Sequence, residues 1–298
     1  MDVRPVAVHL GAEVTGVDLS SPLPAAEREA IWSALLQYKV LFFRDQDLDH
    51  ATHATFAAAF GQLTPAHPVF GPGDSDHPAV YSVAKERTAV TTHEQATLRP
   101  WTGWHTDITA ALNPPGQSIL RSDIVPPVGG DSQWTDLAAA YRALSAPLRA
   151  FLDGLQGRHH YHLGRGSDDY QARVSGRNMV TDHPLVRVHP ETGERALYVS
   201  PSFLRAIPAL TPRESQGLLE LLWEHAVRPE FTVRFRWDEG CVAFWDNRAT
   251  AHLAPRDIYA TDHPRQFWRC TLMGEIPVGP DGRSSVAVEG APIAPLVG

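Results

Sequence analysis

The sequence predicts a mainly β fold with peripheral helices, built around a two-sheet β-sandwich. Short strand-like segments bounded by glycine and proline recur along the chain, and helical periodicity is confined to a few segments. The second half lacks the regular strand–helix alternation that a doubly wound fold requires. The 298 residues contain no internal repeat and no low-complexity linker, so we expect a single domain spanning residues 1–298.

The composition is that of an ordinary globular protein, with 43% hydrophobic and 20% charged residues. The formal net charge of −8 argues against a nucleic-acid partner. Cys241 and Cys270 lie in apolar segments, so we expect core residues rather than a disulfide framework or a cysteine zinc site. No secretory signal pattern is visible, and no apolar stretch approaches the ~20 residues of a membrane span. We therefore expect a cytoplasmic protein with no membrane partner.

The N-terminal part alternates between strands and helices. Residues 6–19 alternate apolar and polar side chains, which predicts a pair of short strands. Residues 25–38 place apolar side chains on one helical face and predict an amphipathic helix. Residues 39–44, with the apolar run 40–43, predict a buried strand, and residues 50–60 predict a second helix that Gly61 ends.

Three segments without periodic patterns predict loops. Residues 62–78 are rich in proline and glycine, residues 85–100 are polar and irregular, and residues 157–181 mix glycine with charged side chains and histidine. Loops of this length inside a compact domain are typically lids or binding loops. We therefore predict that all three border the active site.

The remaining elements follow the same signals. Residues 212–227 give the clearest helix, because Thr211 and Glu214 form a capping-box pattern and Pro212 occupies the first helical position. Strands are also predicted at residues 79–83, 117–125, 185–189, 196–199, 232–237, 241–245 and 266–273, and helices at 135–144 and 147–155.

A candidate metal site begins with His105 and Asp107, which are two residues apart. In an extended segment both side chains point to one face, so we predict a strand over residues 105–107. An imidazole and a carboxylate are two members of a facial site of two histidines and one carboxylate. His252 follows a buried strand and is the candidate for the third ligand. The His-X-Asp pattern alone is equally compatible with no metal.

Two arginines follow the candidate third ligand. Arg265 and Arg269 are four residues apart in a strand, so they share a face. Paired arginines bind carboxylate, sulfonate or phosphate through charge-assisted hydrogen bonds. This is what the far end of a chelating keto acid requires, although ordinary ion pairs would be the favoured interpretation if the arginines stood alone.

These features together resemble the taurine dioxygenase/alkylsulfatase/2,4-D dioxygenase (TauD/TfdA) family of Fe(II)- and 2-oxoglutarate-dependent oxygenases. The resemblance extends over nearly the whole chain and rests on the set of segments in this order. They are residues 10–19, 40–44, 104–107, 129–132, 183–190 and 245–252, followed by Arg265 and Arg269.

The resemblance implies a double-stranded β-helix core of the jelly-roll or cupin-like type. It implies that His105, Asp107 and His252 are catalytic Fe(II) ligands, with 2-oxoglutarate and O2 as cosubstrates. Arg265 would bind the distal carboxylate of 2-oxoglutarate. Ser132 stands where the family usually has threonine, and it retains the hydroxyl for a hydrogen bond to the same carboxylate.

The resemblance also implies contacts with substrate and cosubstrate. Arg269 would lie between cosubstrate and substrate and bind the anion of the substrate. His67, Phe70 and Phe203 fall at positions that line the family's substrate pocket, although His67 could simply shape a turn and Phe203 could simply pack. Taurine enzymes have tyrosine in place of Phe70 and differ at residues 85–100, which argues for another substrate.

The predicted reaction is hydroxylation of a C–H bond in a small anionic organic molecule. An alkyl sulfate or sulfonate would release sulfate or sulfite and an aldehyde. The alternatives are the same chemistry on an aryloxyalkanoate or a biosynthetic carboxylic acid, a zinc hydrolase, or a non-catalytic jelly-roll binding protein. Family members are usually dimers or tetramers, so the resemblance also implies a homo-oligomer.

Overall fold

Strands outnumber helices in the structure, a computed structural model that describes residues 1–67, 76–85, 98–161 and 178–296. In chain order the strands are β1 (Asp2–Pro5), β2 (Ala12–Thr15), β3 (Val40–Phe43), β4 (Tyr81–Ala84), β5 (Gln117–Ile124), β6 (Ser132–Asp136), β7 (Gln156–His160), β8 (Val180–Pro184), β9 (Val186–Val188), β10 (Arg195–Leu197), β11 (Leu204–Ala206), β12 (Thr232–Phe235), β13 (Val242–Asp246), β14 (Thr250–Leu253), β15 (Gln266–Thr271) and β16 (Val286–Glu289). The α-helices of these residues are α1 (Ala25–Tyr38), α2 (His50–Ala58), α3 (Leu137–Ala143), α4 (Ala146–Leu152) and α5 (Pro212–Ala226), and 3-10 helices span Pro229–Phe231 and Arg256–Ala260.

The strands form a sandwich. The main sheet has the order β1-β2-β3-β13-β5-β15-β4, and a three-stranded sheet, β12-β6-β14, packs against it. Sheet β11-β7-β8-β16 and hairpin β9–β10 complete the β structure of the described residues. All pairs are antiparallel except β2 and β3. The prediction of a mainly β fold with peripheral helices is confirmed, and its core is a double-stranded β-helix, or jelly roll.

The main sheet is apolar on both faces because it lies between two layers. Val40 and Phe42 of β3 face the interior, where Phe42 stacks on Phe235 of the opposite sheet at a ring-centroid distance of 4.1 Å. Leu41 and Phe43, which alternate with them, face the helices α1 and α2. This double burial explains why the strand is an unbroken apolar run.

Helix ends are fixed by local hydrogen bonds. In α5, the side chain of Thr211 accepts a hydrogen bond from the backbone of Glu214, and the Glu214 carboxylate accepts one from the backbone of Thr211. This is the predicted capping box, and the helix spans Pro212–Ala226 as expected to within one residue. Helix α1 has the predicted bounds. None of the helices in the described residues has the length and apolar character that a bilayer span requires.

Two predicted elements are wrong at the site. Residues 105–107 are not a strand: His105 alone forms a β-bridge, to His252, and Asp107 lies in a turn. The turn continues into Ile108, whose φ of 43° is incompatible with a strand. The helix predicted at 135–144 begins later, because residues up to Asp136 belong to β6 and the Asp136 carboxylate caps α3.

Other boundaries also differ from the prediction. The N-terminal strand pair exists, but its first strand is β1, which precedes residues 6–19. Strands β7 and β8 occupy the ends of the predicted loop at 157–181. Residues 68–75, 86–97 and 162–177 lie outside the described residues, and with them Phe70 and most of the three predicted loops.

Candidate active site

The structure brings His105, Asp107 and His252 together. One ligand atom from each residue lies within 4.8 Å of the other two. The two histidines exchange backbone hydrogen bonds of 2.9 and 2.7 Å, and their ring centroids are 4.2 Å apart. The Nε2 atom of His252 lies 3.9 Å from the Oδ1 atom of Asp107. This is a compact group of two nitrogen donors and one oxygen donor.

A change of sheet places His252. Strand β13 belongs to the main sheet and β14 to the opposite one, so the chain crosses between the sheets over residues 247–249. His252 then pairs with Trp134 of β6 and faces His105. Thr106 anchors the other side of the site, because its Oγ1 donates to the carbonyl of Thr250 at 2.8 Å. The pairing with β14 therefore holds the His105 segment in place.

The ring of His105 is oriented by Gly103. Its Nδ1 lies 3.0 Å from the Gly103 carbonyl oxygen, so Nδ1 is the protonated nitrogen and Nε2 carries the free lone pair. Gly103 has a φ of 89°, and a Cβ there would lie 2.9 Å from Cδ1 of Leu253. A glycine at this position thus allows the carbonyl to reach the imidazole.

The protonation states suit a divalent cation. Burial lowers the pKa of His105, against the opposing effect of Asp107. Burial and the neighbouring His105 hold the pKa of His252 well below its usual value. Burial would raise the pKa of Asp107, but Arg269 and the two histidines lower it below its usual value. Two neutral imidazoles and one carboxylate at neutral pH are the donor set of a transition-metal site, so the residues fit the predicted metal.

Arg269 lies directly against the candidate carboxylate ligand. Its Nη1 donates to Oδ1 of Asp107 at 2.7 Å, and its guanidinium lies 5.4 Å from the ring centroid of Tyr81. Ser118 donates to the other oxygen, Oδ2, at 2.6 Å. The predicted contacts of Arg269 with a bound anion are not tested by this arrangement and stay predictions.

A cavity of about 240 Å³ extends between His105, one of the candidate metal ligands, and Arg265. Both His105 and Arg265 line it, and the rest of its lining consists of Val83, Ala84, Lys85, Gly103, Gly130, Leu253, Ala254, Pro255, Arg256, Ile258 and Tyr259. No aspartate or glutamate of the described residues is part of this lining. The cavity therefore suits an anion that reaches from one end to the other.

Arg265 is a buried cation. Its side chain is 7% exposed, its Nε donates to the Gly130 carbonyl at 3.0 Å, and its guanidinium lies 3.7 Å from the ring centroid of Phe267. Burial lowers its pKa to about 10, so it stays charged at neutral pH. It forms no ion pair with any acid in the part of the chain that the structure describes. A desolvated charge of this kind is stabilised when a carboxylate binds.

Gly130 lies beside Arg265, and Ser132 follows it by two residues. Gly130 has a φ of 73°, and a Cβ there would lie 2.8 Å from Pro126 and 3.2 Å from the Arg265 side chain. Ser132 is buried and accepts a hydrogen bond from Nε1 of Trp237 at 3.1 Å. Its own hydroxyl hydrogen remains to be donated, which keeps the predicted bond to a carboxylate possible.

The candidate substrate residues lie in two places. His67 is buried, and its ring centroid is 5.0 Å from that of Tyr81, which also contacts Arg269. Phe203 packs with Ile108, next to Asp107, and stacks on Tyr161 at 5.8 Å. Their predicted roles stay untested, and Phe70 lies outside the described residues.

Sequence reasoning missed the polar residues that support the ligands. Ser118 and Gly103 contact Asp107 and His105 directly, yet a serine in a strand and a glycine in a loop carry no signal of their own. Asn247 donates to the Ser118 hydroxyl at 2.8 Å. Its place after the apolar strand and before His252 was the available signal.

Comparison with known proteins gives matches over nearly the whole chain. The family model described as taurine catabolism dioxygenase TauD, TfdA family matches residues 2–271. The alpha-ketoglutarate-dependent sulfate ester dioxygenase of Pseudomonas putida is 42% identical over 296 residues, covering 96% of this chain and 93% of that protein. The alkylsulfatase of Acinetobacter baylyi is 36% identical and covers 95% of this chain and 88% of that protein. A crystal structure of a taurine dioxygenase from Burkholderia xenovorans has a TM-score of 0.87 at 59% identity, with 98% of this chain and 95% of that chain covered.

Proposed function

Because this chain belongs to the taurine catabolism dioxygenase TauD, TfdA family of 2-oxoglutarate-dependent dioxygenases, we propose that it oxidises an alkyl sulfate ester. The reaction inserts one oxygen atom of O2 into the C–H bond next to the ester oxygen. The other oxygen atom goes to 2-oxoglutarate, which becomes succinate and CO2. The hydroxylated ester then collapses into an aldehyde and sulfate, with the hydroxyl proton released.

In this proposal His105, Asp107 and His252 hold Fe(II). Their fit rests on two neutral imidazoles and an ionised carboxylate with donor atoms within 4.8 Å of one another. Bound iron would supply the activation of O2 and the oxidation of the C–H bond. The protein contributes the orientation of the ligands and a largely buried surrounding that limits water.

The buried charge of Arg265, which forms no ion pair within the described residues, is the observation that supports the cosubstrate assignment most strongly. Arg265 and His105 line the same cavity, so a 2-oxo acid with a second carboxylate can lie between the metal and the guanidinium. Ser132, two residues after the Gly130 that bonds Arg265, is the second candidate contact for this carboxylate. A zinc hydrolase has no need of a keto acid, and family membership favours the dioxygenase over both the hydrolase and the non-catalytic binding protein.

The sulfate ester is proposed from the relatives. One relative is a sulfate ester dioxygenase and another an alkylsulfatase, whereas the similar crystal structure is that of a taurine dioxygenase. Sulfate esters and sulfonates share a tetrahedral sulfur oxyanion, which a cation such as Arg269 can bind. His67 is the second candidate contact for the anion, and Phe70 and Phe203 are candidates for the hydrocarbon part.

A substrate panel tests the proposal. The metal-free protein is reconstituted with Fe(II) and given 2-oxoglutarate with linear alkyl sulfates, alkanesulfonates, taurine or an aryloxyalkanoate. We expect succinate, sulfate and aldehyde with the alkyl sulfates, and little turnover of taurine. Sulfite from taurine with no sulfate from the esters would contradict the ester assignment, and sulfate without succinate would indicate a hydrolase.

Cytoplasmic location and a homo-oligomeric state remain part of this proposal. The proposed substrate is a small anion, and the formal net charge of −8 argues against a nucleic-acid partner. Light scattering of the purified protein tests the oligomer: a dimer or tetramer is expected, and a monomer at micromolar concentration would contradict it.

A further inference from the structure

We propose that Trp245, Asn247 and Ser118 form a one-way hydrogen-bond relay that fixes the Asp107 carboxylate for metal binding, an inference that rests on the proposed function. The Nε1 of Trp245 donates to Oδ1 of Asn247 at 3.0 Å. The Nδ2 of Asn247 donates to Oγ of Ser118 at 2.8 Å. The hydroxyl of Ser118 then donates to Oδ2 of Asp107 at 2.6 Å.

The direction of the relay follows from its first member. An indole nitrogen can only donate, so the oxygen of the Asn247 amide must face Trp245. The amide nitrogen then faces Ser118 and donates to it. The serine hydroxyl has a single hydrogen, which is left for Asp107. Each bond therefore determines the direction of the next one.

Burial and sheet pairing keep the relay rigid. Ser118 is 0% exposed, Trp245 and Asn247 are 1% exposed, and Asp107 is 2% exposed, so water does not compete for these bonds. Trp245 and Ser118 are direct partners across strands β13 and β5. The backbone nitrogen of Asn247 donates to the Gly116 carbonyl at 2.9 Å, which holds the turn against the start of β5.

The relay orients the Asp107 side chain, which the surrounding backbone does not do. Asp107 lies in a turn rather than a strand, so regular pairing does not orient its side chain. Ser118 holds Oδ2, while Oδ1 accepts a hydrogen bond from Arg269 at 2.7 Å and lies 3.9 Å from Nε2 of His252. We infer that Oδ1, on the side of His252, is the metal ligand and that the relay positions the carboxylate through Oδ2. Trp245 also packs against the His252 ring, at 4.9 Å, so it supports two ligands at once.

The experiment measures metal binding without catalysis. Co(II) is titrated anaerobically into metal-free protein, and its affinity is measured by calorimetry and by the visible absorption of the bound ion. Ser118→Ala is expected to weaken Co(II) binding by about 10-fold or more, as is usual when a partner of a metal ligand is removed. Asn247→Ala should weaken it by a smaller factor, because Ser118 can still donate but its direction is no longer fixed.

The double variant Ser118→Ala/Asn247→Ala distinguishes a relay from general destabilisation. If both residues act through one chain of bonds, the double variant binds Co(II) no more weakly than Ser118→Ala alone. Losses that multiply would overturn the relay. Ser122→Ala is the matched control, because Ser122 is a buried serine of the same strand and its hydroxyl donates to the backbone carbonyls of Asp238 and Cys241. The Ser122→Ala variant should bind Co(II) like the wild type.

Failure of the relay and failure of the proposed function give different results. Wild-type protein that binds no Co(II), Mn(II) or Fe(II) would contradict the proposed function itself. Wild-type binding with Ser118→Ala binding equally tightly would overturn the relay and leave the function standing. If Ser118→Ala does not fold by circular dichroism, Asn247→Ala decides alone: unchanged Co(II) affinity and spectrum would overturn the relay.

Discussion

Replacing Arg265 by methionine should weaken binding of 2-oxoglutarate selectively. Methionine retains an apolar stem that packs against Phe267 and removes only the charge and its hydrogen bonds. A hydrogen bond between ionised groups contributes ~1.5–3 kcal/mol. This converts to a roughly 10- to 150-fold higher dissociation constant for 2-oxoglutarate. The increase in the dissociation constant should lie toward the upper end of this range, because Arg265 is only 7% exposed and the hydrogen bond is shielded from water.

The assay measures the dissociation constant of 2-oxoglutarate for the anaerobic metal-loaded protein, and the KM from succinate formation. A 2-oxo acid without the second carboxylate should bind Arg265→Met and the wild type equally. Arg44→Met is the control, since Arg44 pairs with Glu13 and Asp238 at the surface and should leave the affinity unchanged. A change below about threefold for 2-oxoglutarate, or an equal loss for the shorter acid, would refute the assigned role of Arg265.

Three further predictions concern the metal, the acid stability and a helix cap. His252→Ala should abolish tight Co(II) binding, measured by calorimetry, while leaving the circular dichroism spectrum unchanged; retained binding would exclude His252 as a ligand. For Asp246, burial would raise the pKa, but Arg248 and His189 outweigh it and lower the pKa below the usual 3.8. The ionised carboxylate therefore stabilises the fold above pH ~4, and this stabilisation is lost as the pH falls. Asp246→Asn should lower the free energy of unfolding by ~3–5 kcal/mol at pH 7 and by progressively less toward pH 3, as measured by urea unfolding. An equal cost at both pH values would contradict this sign. Thr211→Ala should lower the free energy of unfolding by about 1 kcal/mol through loss of the α5 cap, and no change would show that the cap is not stabilising.

Elements whose signals are local were predictable from the sequence. Helix α1 follows from apolar spacing and α5 from its capping box, and both occur with the expected bounds to within one residue. The apolar run of β3 correctly indicated a buried strand. These signals act within a few residues, so neighbouring chain segments did not alter them.

Elements whose state depends on distant partners were not predictable. Asp107 lies in a turn because only His105 pairs with β14, and that pairing is set by residues far along the chain. Thr135 was predicted to begin a helix, but it pairs with Thr232 and Ala251 in the smaller sheet. Tertiary pairing overrode local preference at both places.

Some residues of the candidate site were likewise predictable from the sequence, and others were not. The three candidate metal ligands and Arg265 were found from their pattern and family resemblance, and the structure brings the ligands together. The supporting bonds from Ser118 and Gly103 depend on three-dimensional placement and have no sequence pattern. The contact of Arg269 with Asp107 was likewise not foreseen, because a spacing of four residues fixes a face but not a partner.

The most direct test is the stoichiometry of the complete reaction. Iron-loaded protein, 2-oxoglutarate and a linear alkyl sulfate are mixed in air-saturated buffer, and succinate, sulfate and aldehyde are quantified together. We predict equal amounts of all three and no product without O2 or with Asp107→Ala, which removes the carboxylate of the candidate metal site. Sulfate release without O2 and without succinate, or full turnover by Asp107→Ala, would contradict the account.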